Sequence, residues 1–188
     1  MMKVITTEIE GLLVVEPKVF GDSRGFFLES WNKLKFDEAV GREVSFVQDN
    51  HSKSESGTLR GLHIQTKNAQ GKLVRVVKGS VYDVAVDLRK DSKTYGEWFG
   101  LILSAENKRQ LWIPKGFAHG FLALEDDTEF LYKCDGYYDP LYEVSIDWND
   151  KVLSIDWSQF ESFKSLKLSD KDSKGIGLSE FSKLEKEF

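Results

Sequence analysis

The sequence of 188 residues predicts an all-β fold, either a sandwich or a barrel. Short apolar or alternating runs recur along it, separated by turn residues such as Lys78-Gly79-Ser80, and this spacing is typical of antiparallel strands. Thirteen Phe and five Trp can fill a large interior, and only three Pro interrupt the pattern. A chain of this length supports one core, so we expect a single domain over residues 1–188, with a tail over about 173–188.

The predicted strands follow these runs in chain order. An N-terminal strand at residues 4–7 has no evident partner within the chain, which suggests that it adds to the sheet edge of a second copy. Residues 81–88 alternate most cleanly, with Asp83 and Asp87 on one face and apolar side chains on the other. The other predicted strands are residues 12–15, 25–31, 58–65, 73–77, 99–103, 110–113, 117–124 and 130–133.

Helix signals are few. Lys33–Val40 is predicted to form a short helix because Gly41 follows it, in the position where glycine commonly ends helices. Leu178, Phe181 and Leu184 recur at helical spacing and predict one or two amphipathic turns near the C-terminus. The polar stretch 164–174, which precedes those turns, is predicted to be a loop.

Composition limits the classes of function. The formal net charge of −5 argues against general nucleic-acid binding, which needs clustered Lys and Arg, but allows an anionic small molecule held by local positive charge. The apolar runs are far shorter than the roughly 20 residues that span a bilayer, and no apolar signal core follows the N-terminus. The single cysteine, Cys134, excludes an intramolecular disulfide and is predicted to be a packed thiol. We therefore expect a cytoplasmic protein without a membrane partner.

Two histidine-containing segments form the candidate functional site. Residues 60–65 read Arg-Gly-Leu-His-Ile-Gln, and residues 116–121 read Gly-Phe-Ala-His-Gly-Phe. His63 is a candidate general base because imidazole titrates near neutral pH, and Arg60 beside it suits an anion. A packed core histidine remains an alternative for His63 at this point, and His51 lies in a polar stretch with less to suggest chemistry.

Other arrangements are also open on these residues alone. A metal site needs about three protein ligands, so His63 and His119 would have to be joined by His51 or an acid, and no His-x-His pair is present in the sequence. Residues 22–29 fit an ordinary turn and strand with an exposed ion pair. Tyr132 and the tyrosines after it fit packing aromatics, a proton donor or a ring that stacks on a nucleobase.

Several motifs occur in order between about residues 3 and 172, which is nearly the whole chain. They are DSRGFFLE at 22–29, FVQDNHS at 46–52, RGLHIQ at 60–65, DVAVDLR at 83–89, WIPKGFAHGF at 112–121, YK at 132–133 and LSDKD at 168–172. Each motif is weak alone, but the ordered set is specific. By this set the chain resembles the dTDP-4-dehydrorhamnose 3,5-epimerase family of nucleotide-sugar biosynthesis.

The resemblance implies a cupin-like antiparallel jelly-roll barrel with few short helices, assembled as a homodimer that uses no metal and no cofactor. The implied catalytic residues are His63 as the base, Asp172 as the carboxylate paired with it, Tyr132 as the acid on the other face of the sugar and Lys72 as the cation near the carbonyl oxygen. The implied contacts to a nucleotide-diphosphate sugar are Arg24, Phe27, Glu29, Gln48, Asn50, Arg60, His119, Tyr138, Glu143 and Lys171.

The reaction implied by the resemblance is epimerisation at C3 and C5 of dTDP-4-dehydro-6-deoxy-D-glucose to dTDP-4-dehydro-L-rhamnose, in dTDP-L-rhamnose biosynthesis. The 4-keto group acidifies the protons on C3 and C5, so a base can form an enolate, a cation can stabilise it and an acid can reprotonate the opposite face. The alternatives are an epimerase of one centre or an isomerase of another nucleotide-linked 4-keto sugar. A non-catalytic sugar-binding cupin and a metal-dependent cupin represent other classes.

The spacing of Arg60 and His63 poses a geometrical problem. The two residues are three apart, so strict strand alternation places their side chains on opposite faces of the sheet. Either Gly61 marks a β-bulge, or Arg60 reaches its ligand by another route, such as across a dimer interface.

Overall fold

The computed structural model describes residues 2–184, which form two antiparallel β-sheets and a separate hairpin. The strands are β1 (Lys3–Thr6), β2 (Leu13–Glu16), β3 (Val19–Asp22), β4 (Gly25–Leu28), β5 (Gln48–Ser54), β6 (Leu59–Gln65), β7 (Lys72–Lys78), β8 (Ser80–Asp87), β9 (Trp98–Ser104), β10 (Gln110–Ile113), β11 (Phe117–Ala123), β12 (Thr128–Cys134) and β13 (Glu143–Ser145).

The two sheets confirm the predicted all-β fold, a cupin-like antiparallel jelly roll. The first sheet has six strands in the order β1-β2-β10-β7-β12-β5, and the second has five in the order β13-β6-β11-β8-β9. Strands β3 and β4 pair only with each other among the described residues and form the separate hairpin. Side chains from the middle of the six-stranded sheet share an apolar core with β11 and a cavity with both β6 and β11, which carry the two histidine segments.

An apolar core lies between the sheets. It joins Val74 and Phe130 of the six-stranded sheet to Val81 and Phe121 of the five-stranded sheet. The rings of Phe121 and Phe130 stack with their centroids 4.3 Å apart, and both side chains also line the cavity described below. The core therefore supports the base of that cavity.

The outer face of the five-stranded sheet is covered by the C-terminal segment from residue 146. Trp157 and Phe181 of this segment pack against Tyr82 and Val84 of β8. The predicted alternation of residues 81–88 is confirmed, but both faces of β8 are buried, so its acidic side chains also lie inside the protein.

The two predicted helices are confirmed. Helix α1 (Lys33–Val40) begins after Asn32, whose side chain accepts a hydrogen bond from a backbone N–H of the first turn, and ends at Gly41 with φ of 75°. Helix α2 (Leu178–Leu184) buries its apolar side against the C-terminal cover. No helix in residues 2–184 is long and apolar enough to cross a membrane. The polar stretch predicted as a loop overlaps two short 3₁₀ helices, Glu161–Ser165 and Asp172–Lys174.

The prediction that the N-terminal strand lacks a partner within the chain is wrong. Strand β1 pairs with β2, with Val4 opposite Val15. Thr7 donates its hydroxyl to two backbone carbonyls of the intervening turn, and Gly11, with φ of 83°, lets the chain reverse there. The N-terminal strand therefore gives no support for a second copy of the chain.

Cys134 is a free, buried thiol. Burial raises the pKa of this thiol to about 11, so little reactive thiolate exists at neutral pH. The prediction of a packed thiol is confirmed.

The buried carboxylate of Asp87 ties the turn after β8 together. It accepts hydrogen bonds from the Arg89 guanidinium at 2.8 and 2.7 Å and from the hydroxyls of Ser92 and Thr94. Burial alone would raise the pKa of Asp87, but these bonds outweigh it and lower the pKa to about 2.

We expect Asp87→Asn to lower the free energy of unfolding by roughly 2 kcal/mol at pH 7, because the folded-state pKa lies below the unfolded value. A lowered pKa stabilises the fold above the unfolded pKa and loses that effect as the pH falls, so the gap between the variant and the wild type should narrow from about pH 5 to pH 2. Urea unfolding at pH 7 and pH 3 measures this gap in the free energy of unfolding. The control is Asp91→Asn, a substitution at an exposed position. An equal gap at both pH values would contradict the assignment.

Candidate active site

A cavity of about 420 Å³ opens between the two sheets. All but three of the predicted site residues line it, and they come from six strands, the loop before β13 and the C-terminal segment. These residues are Gln48, Asn50, Arg60, His63, Lys72, His119, Tyr132, Tyr138, Glu143, Lys171 and Asp172. The fold thus collects polar and charged side chains in a hollow whose base is apolar.

His63 and Asp172 form a hydrogen-bonded pair at one wall of the cavity. Nε2 of His63 lies 2.6 Å from Oδ1 of Asp172. The carboxylate also accepts hydrogen bonds from the Ser169 hydroxyl and the backbone N–H of Gly61. Burial would raise the pKa of Asp172, but these bonds outweigh it and lower the pKa. An ionised Asp172 fixes a proton on Nε2, so Nδ1 is the nitrogen left with a lone pair for a substrate.

The pair depends on where the C-terminal segment crosses the sheet. Lys167 accepts a backbone hydrogen bond from Leu59 and donates one to Gly57, so the segment runs beside the start of β6. Asp172, five residues later, then reaches the strand that carries His63. The two residues are 109 apart in the sequence, and only this crossing brings them together.

A bulge at Gly61 resolves the geometrical problem of Arg60 and His63. These two residues are three apart in β6 but lie opposite residues only two apart in β11. Both side chains therefore face the cavity, which confirms the bulge, and Arg60 lines the cavity of its own chain. Gly61 has φ of 106°, and a Cβ there would lie 2.5 Å from Cα of Gly120, so only glycine fits.

Tyr132 and Lys72 occupy the facing six-stranded sheet. Burial raises the pKa of the Tyr132 phenol, so this group keeps its proton at neutral pH and can act as an acid. Burial lowers the pKa of the Lys72 ammonium, so its proton is held less tightly than in water. A base on one wall, an acid on the other and a cation that holds its proton loosely fit proton transfer at a carbon beside a carbonyl.

Glu143 links three groups of the site. It accepts hydrogen bonds from Lys171 and, at 2.8 Å, from the hydroxyl of Tyr138, while its other oxygen lies 3.8 Å from Nδ1 of His63. Burial would raise the pKa of Glu143, but the bonds from Lys171 and Tyr138 outweigh it and lower the pKa. The hydrogen bond that the Tyr138 hydroxyl donates to Glu143 raises the pKa of Tyr138 to about 12. Two carboxylates, those of Asp172 and Glu143, therefore flank the imidazole.

His119 has its own carboxylate partner, Asp83, with Nε2 and Oδ2 2.9 Å apart. Asp83 is fully buried, and within residues 2–184 its second oxygen has no hydrogen-bond partner. The sequence alone does not identify Asp83 or Ser169 as a site residue. Both lie inside motifs of the ordered set, and that position was the available signal.

Three predicted site residues lie away from the cavity, on or just after the β3–β4 hairpin. Arg24 is exposed and paired with Asp22, and Phe27 is 70% exposed. Glu29 pairs with Lys35 near the start of α1. Within one chain, these three side chains do not join the cavity residues.

The three-histidine metal arrangement does not form. His51 lies on the outer face of the six-stranded sheet, 3.0 Å from Glu129, whereas His63 and His119 face the cavity. Across residues 2–184, no three His, Cys, Asp or Glu side chains are grouped as metal ligands.

The chain is similar to a set of known enzymes and structures. The family model for dTDP-4-dehydrorhamnose 3,5-epimerase matches residues 6–180. The enzyme of that name from Salmonella typhimurium is 62% identical over 84% of this chain and 86% of its own length, and the one from Escherichia coli is 54% identical over 97% and 98%.

Solved structures agree in fold. The Legionella pneumophila dTDP-6-deoxy-D-glucose-3,5-epimerase in complex with dTDP-4-keto-L-rhamnose superposes with a TM-score of 0.90 at 51% identity, covering 95% of this chain and 94% of that one. A 3'-monoepimerase from Streptomyces bikiniensis in complex with dTDP-quinovose gives a TM-score of 0.87 at 32% identity, covering 95% and 89%. The extent and identity of these matches, over the same residues that build the cavity, place the chain in the dTDP-4-dehydrorhamnose 3,5-epimerase family.

Proposed function

We propose that this isomerase inverts C3 and C5 of dTDP-4-dehydro-6-deoxy-D-glucose and releases dTDP-4-dehydro-L-rhamnose. The observation that carries the proposal is the placement of the His63–Asp172 pair and the Tyr132 phenol on facing sheets of one cavity. A sugar ring held between the sheets presents one face to the base and the other to the acid. Inversion of a carbon requires such a two-sided arrangement, because the proton must leave from one face and return to the other.

The proposed reaction proceeds through an enolate. Nδ1 of His63 removes the proton from the carbon beside the ketone, and the electron pair of the C–H bond moves to form the enolate with its charge on the carbonyl oxygen. Lys72 stabilises that oxyanion or shares its proton with it. Tyr132 then donates its phenolic proton to the opposite face of the same carbon, and solvent restores both residues. The same proton-transfer steps take place at C3 and at C5. They involve no net oxidation, so the reaction needs no redox cofactor.

The rest of the cavity suits a nucleotide diphosphate. Arg60 and Lys171 line it and supply positive charge for the two phosphates. Tyr138 is half exposed at the cavity mouth, where its ring can stack on a pyrimidine base. Both roles rest on the family resemblance together with this placement.

A single-centre epimerase is the second candidate, since the Streptomyces bikiniensis 3'-monoepimerase shares the fold. The 62% identity to the Salmonella typhimurium 3,5-epimerase favours the double reaction. Proton NMR of dTDP-4-dehydro-6-deoxy-D-glucose incubated with the wild-type protein separates the two. We expect a product inverted at both carbons. A product inverted at C3 alone would establish the second candidate instead, and unchanged substrate would overturn the proposed function.

We also propose that the protein is a homodimer in which the β3–β4 hairpin of each copy completes the cavity of the other. Arg24, Phe27 and Glu29 match substrate-contacting positions of the family but lie outside their own cavity. The hairpin carries Phe26 and Phe27, which are 61% and 70% exposed, an unusual exposure for two adjacent large apolar side chains. A second copy covering them accounts for both facts.

Complementation tests this arrangement. We expect His63→Ala and the double variant Arg24→Ala/Glu29→Ala to be nearly inactive as separate proteins. Mixed and exchanged in equal amounts, they should recover up to about a quarter of the wild-type activity, because half of the dimers are mixed and each holds one intact site. No recovery despite subunit exchange, or a monomer mass at all concentrations in sedimentation, would contradict the dimer.

The cytoplasm is the proposed location, and the free, buried Cys134 supports it because a reducing compartment keeps thiols unpaired.

A further inference from the structure

Gln65 is the last residue of β6, two positions beyond His63, and its side chain is only 7% exposed. It lies between two loops at the mouth of the cavity. Residues 66–71, the β6–β7 loop, lead to Lys72, and residues 135–142, the β12–β13 loop, carry Tyr138 and lead to Glu143. A buried amide in this position must satisfy its donor and its acceptor inside the protein.

The Gln65 amide satisfies both by bonding to the backbone of the two loops. Its Nε2 donates to the carbonyl of Asn68 at 2.9 Å in the β6–β7 loop and to that of Tyr137 at 3.4 Å in the β12–β13 loop. Its Oε1 accepts from the N–H of Asp139 at 3.1 Å. One side chain therefore fixes the peptide groups on both sides of Tyr138 and ties them to the other loop.

A second glutamine holds the same stretch from the opposite sheet. The backbone N–H of Tyr138 donates to Oε1 of Gln48 at 2.9 Å, and Gln48 begins β5 of the six-stranded sheet. Consecutive N–H groups, those of Tyr138 and Asp139, are thus bound by side chains from the two facing sheets. This arrangement leaves the Tyr138 backbone little freedom, although its ring is exposed at the cavity mouth.

The catalytic residues are held in place independently of the Gln65 and Gln48 hydrogen bonds to the β12–β13 loop. Lys72 is held by β-ladder pairing with both Ile113 and Cys134, and Tyr132 lies inside β12. His63 is fixed within β6 and by Asp172. Loss of the Gln65 bonds would therefore free the Tyr138 loop first and leave the proton-transfer groups in place.

We propose that Gln65 is a positioning residue that holds the β12–β13 loop so that the Tyr138 ring is preset to stack on the nucleotide base. It acts on nucleotide affinity and not on proton transfer. This inference rests on the proposed function, because it takes the base-stacking role of Tyr138 from that proposal. The energetic advantage comes from order that is already present before binding, so that less conformational freedom is lost when the nucleotide arrives.

Calorimetric titration with dTDP alone tests the inference in wild type, Gln65→Leu, Tyr138→Ala and the double variant. We expect Gln65→Leu to weaken dTDP binding about 10- to 100-fold, the range given by loss of one base–aromatic stack. If Gln65 acts through Tyr138, the double variant should bind about as weakly as Tyr138→Ala, because residues that act as a unit are not additive. KM should rise by a similar factor while kcat stays within about threefold, whereas a merely structural defect would lower kcat as well.

Two further variants keep the test decisive. Gln65→Asn retains the amide but is one methylene too short to reach both loops, so it should weaken dTDP binding even if the Leu variant does not fold. Gln159→Leu removes a glutamine that bonds an exposed backbone carbonyl of the C-terminal segment and does not line the cavity, and this variant should bind as the wild type does.

Wild-type affinity in folded Gln65→Asn or Gln65→Leu, or losses that multiply in the double variant, would overturn the inference. A wild-type protein that does not bind dTDP would instead contradict the proposed function, so the two failures are distinguishable.

Discussion

His63→Ala should abolish solvent exchange at both C3 and C5 of the substrate, because no enolate forms without the base. The expected loss is on the order of 10²–10⁴-fold in the rate of deuterium incorporation, the usual contribution of a general base. Asp172→Asn should impair the same step, since it removes the negative charge that fixes the proton on Nε2, 2.6 Å away. The two substitutions together should cost little more than His63→Ala alone. NMR of the substrate in deuterium oxide gives all these rates.

The matched control is His51→Ala. His51 also pairs with a carboxylate, Glu129 at 3.0 Å, but on the outer face of the six-stranded sheet. It should retain normal exchange. If His63→Ala exchanged nearly as fast as the wild type, another group in the cavity would have to be the base, and His119, which is paired with Asp83, would be the first to examine.

Tyr132→Phe should separate exchange from inversion. The ring and its packing remain, but the phenolic proton on the far side of the sugar is lost. Deprotonation by His63 continues, so deuterium still enters the substrate, while net inversion falls about 10²–10⁴-fold. Because burial raises the pKa of Tyr132, the wild-type acid stays protonated beyond the pH at which a free tyrosine ionises. Loss of that proton therefore should not limit inversion at neutral pH.

Tyr137→Phe is the control for this variant, since Tyr137 lies on the neighbouring loop with its side chain 70% exposed. It should invert the substrate normally. Equal losses of exchange and inversion in Tyr132→Phe would mean that Tyr132 acts in deprotonation and would contradict its assignment as the far-side acid.

The sequence predicts the apolar strands and helix α1 because their signals are local. Helix α1 has both an end signal at Gly41 and an apolar residue, Phe36, that packs edge-on to Trp112. The sequence does not predict strand β5, because all seven of its residues are polar. It is the edge of its sheet, with one face toward the cavity and the other exposed, so no apolar period marks it.

The site could be predicted only in part from local patterns. Segment 60–65 contains the base and the glycine of the bulge, but its spacing leaves both a bulge and another route for Arg60 open, and the strand register decides for the bulge. The partnership of His63 and Asp172 has no local signal, because the carboxylate comes from the distant C-terminal segment, which packs across the outer face of the same five-stranded sheet. The ordered motifs identify it instead. The separation of Arg24 and Glu29 from the cavity appears only in the folded chain.

The most direct test of the division of labour compares deuterium entry with inversion at C3 and C5 in wild type, His63→Ala and Tyr132→Phe, side by side in deuterium oxide. The placement of the base and the acid on facing walls predicts that wild type shows both processes, His63→Ala neither, and Tyr132→Phe exchange with little inversion. Near-normal exchange in His63→Ala would contradict the assignment of His63 as the base.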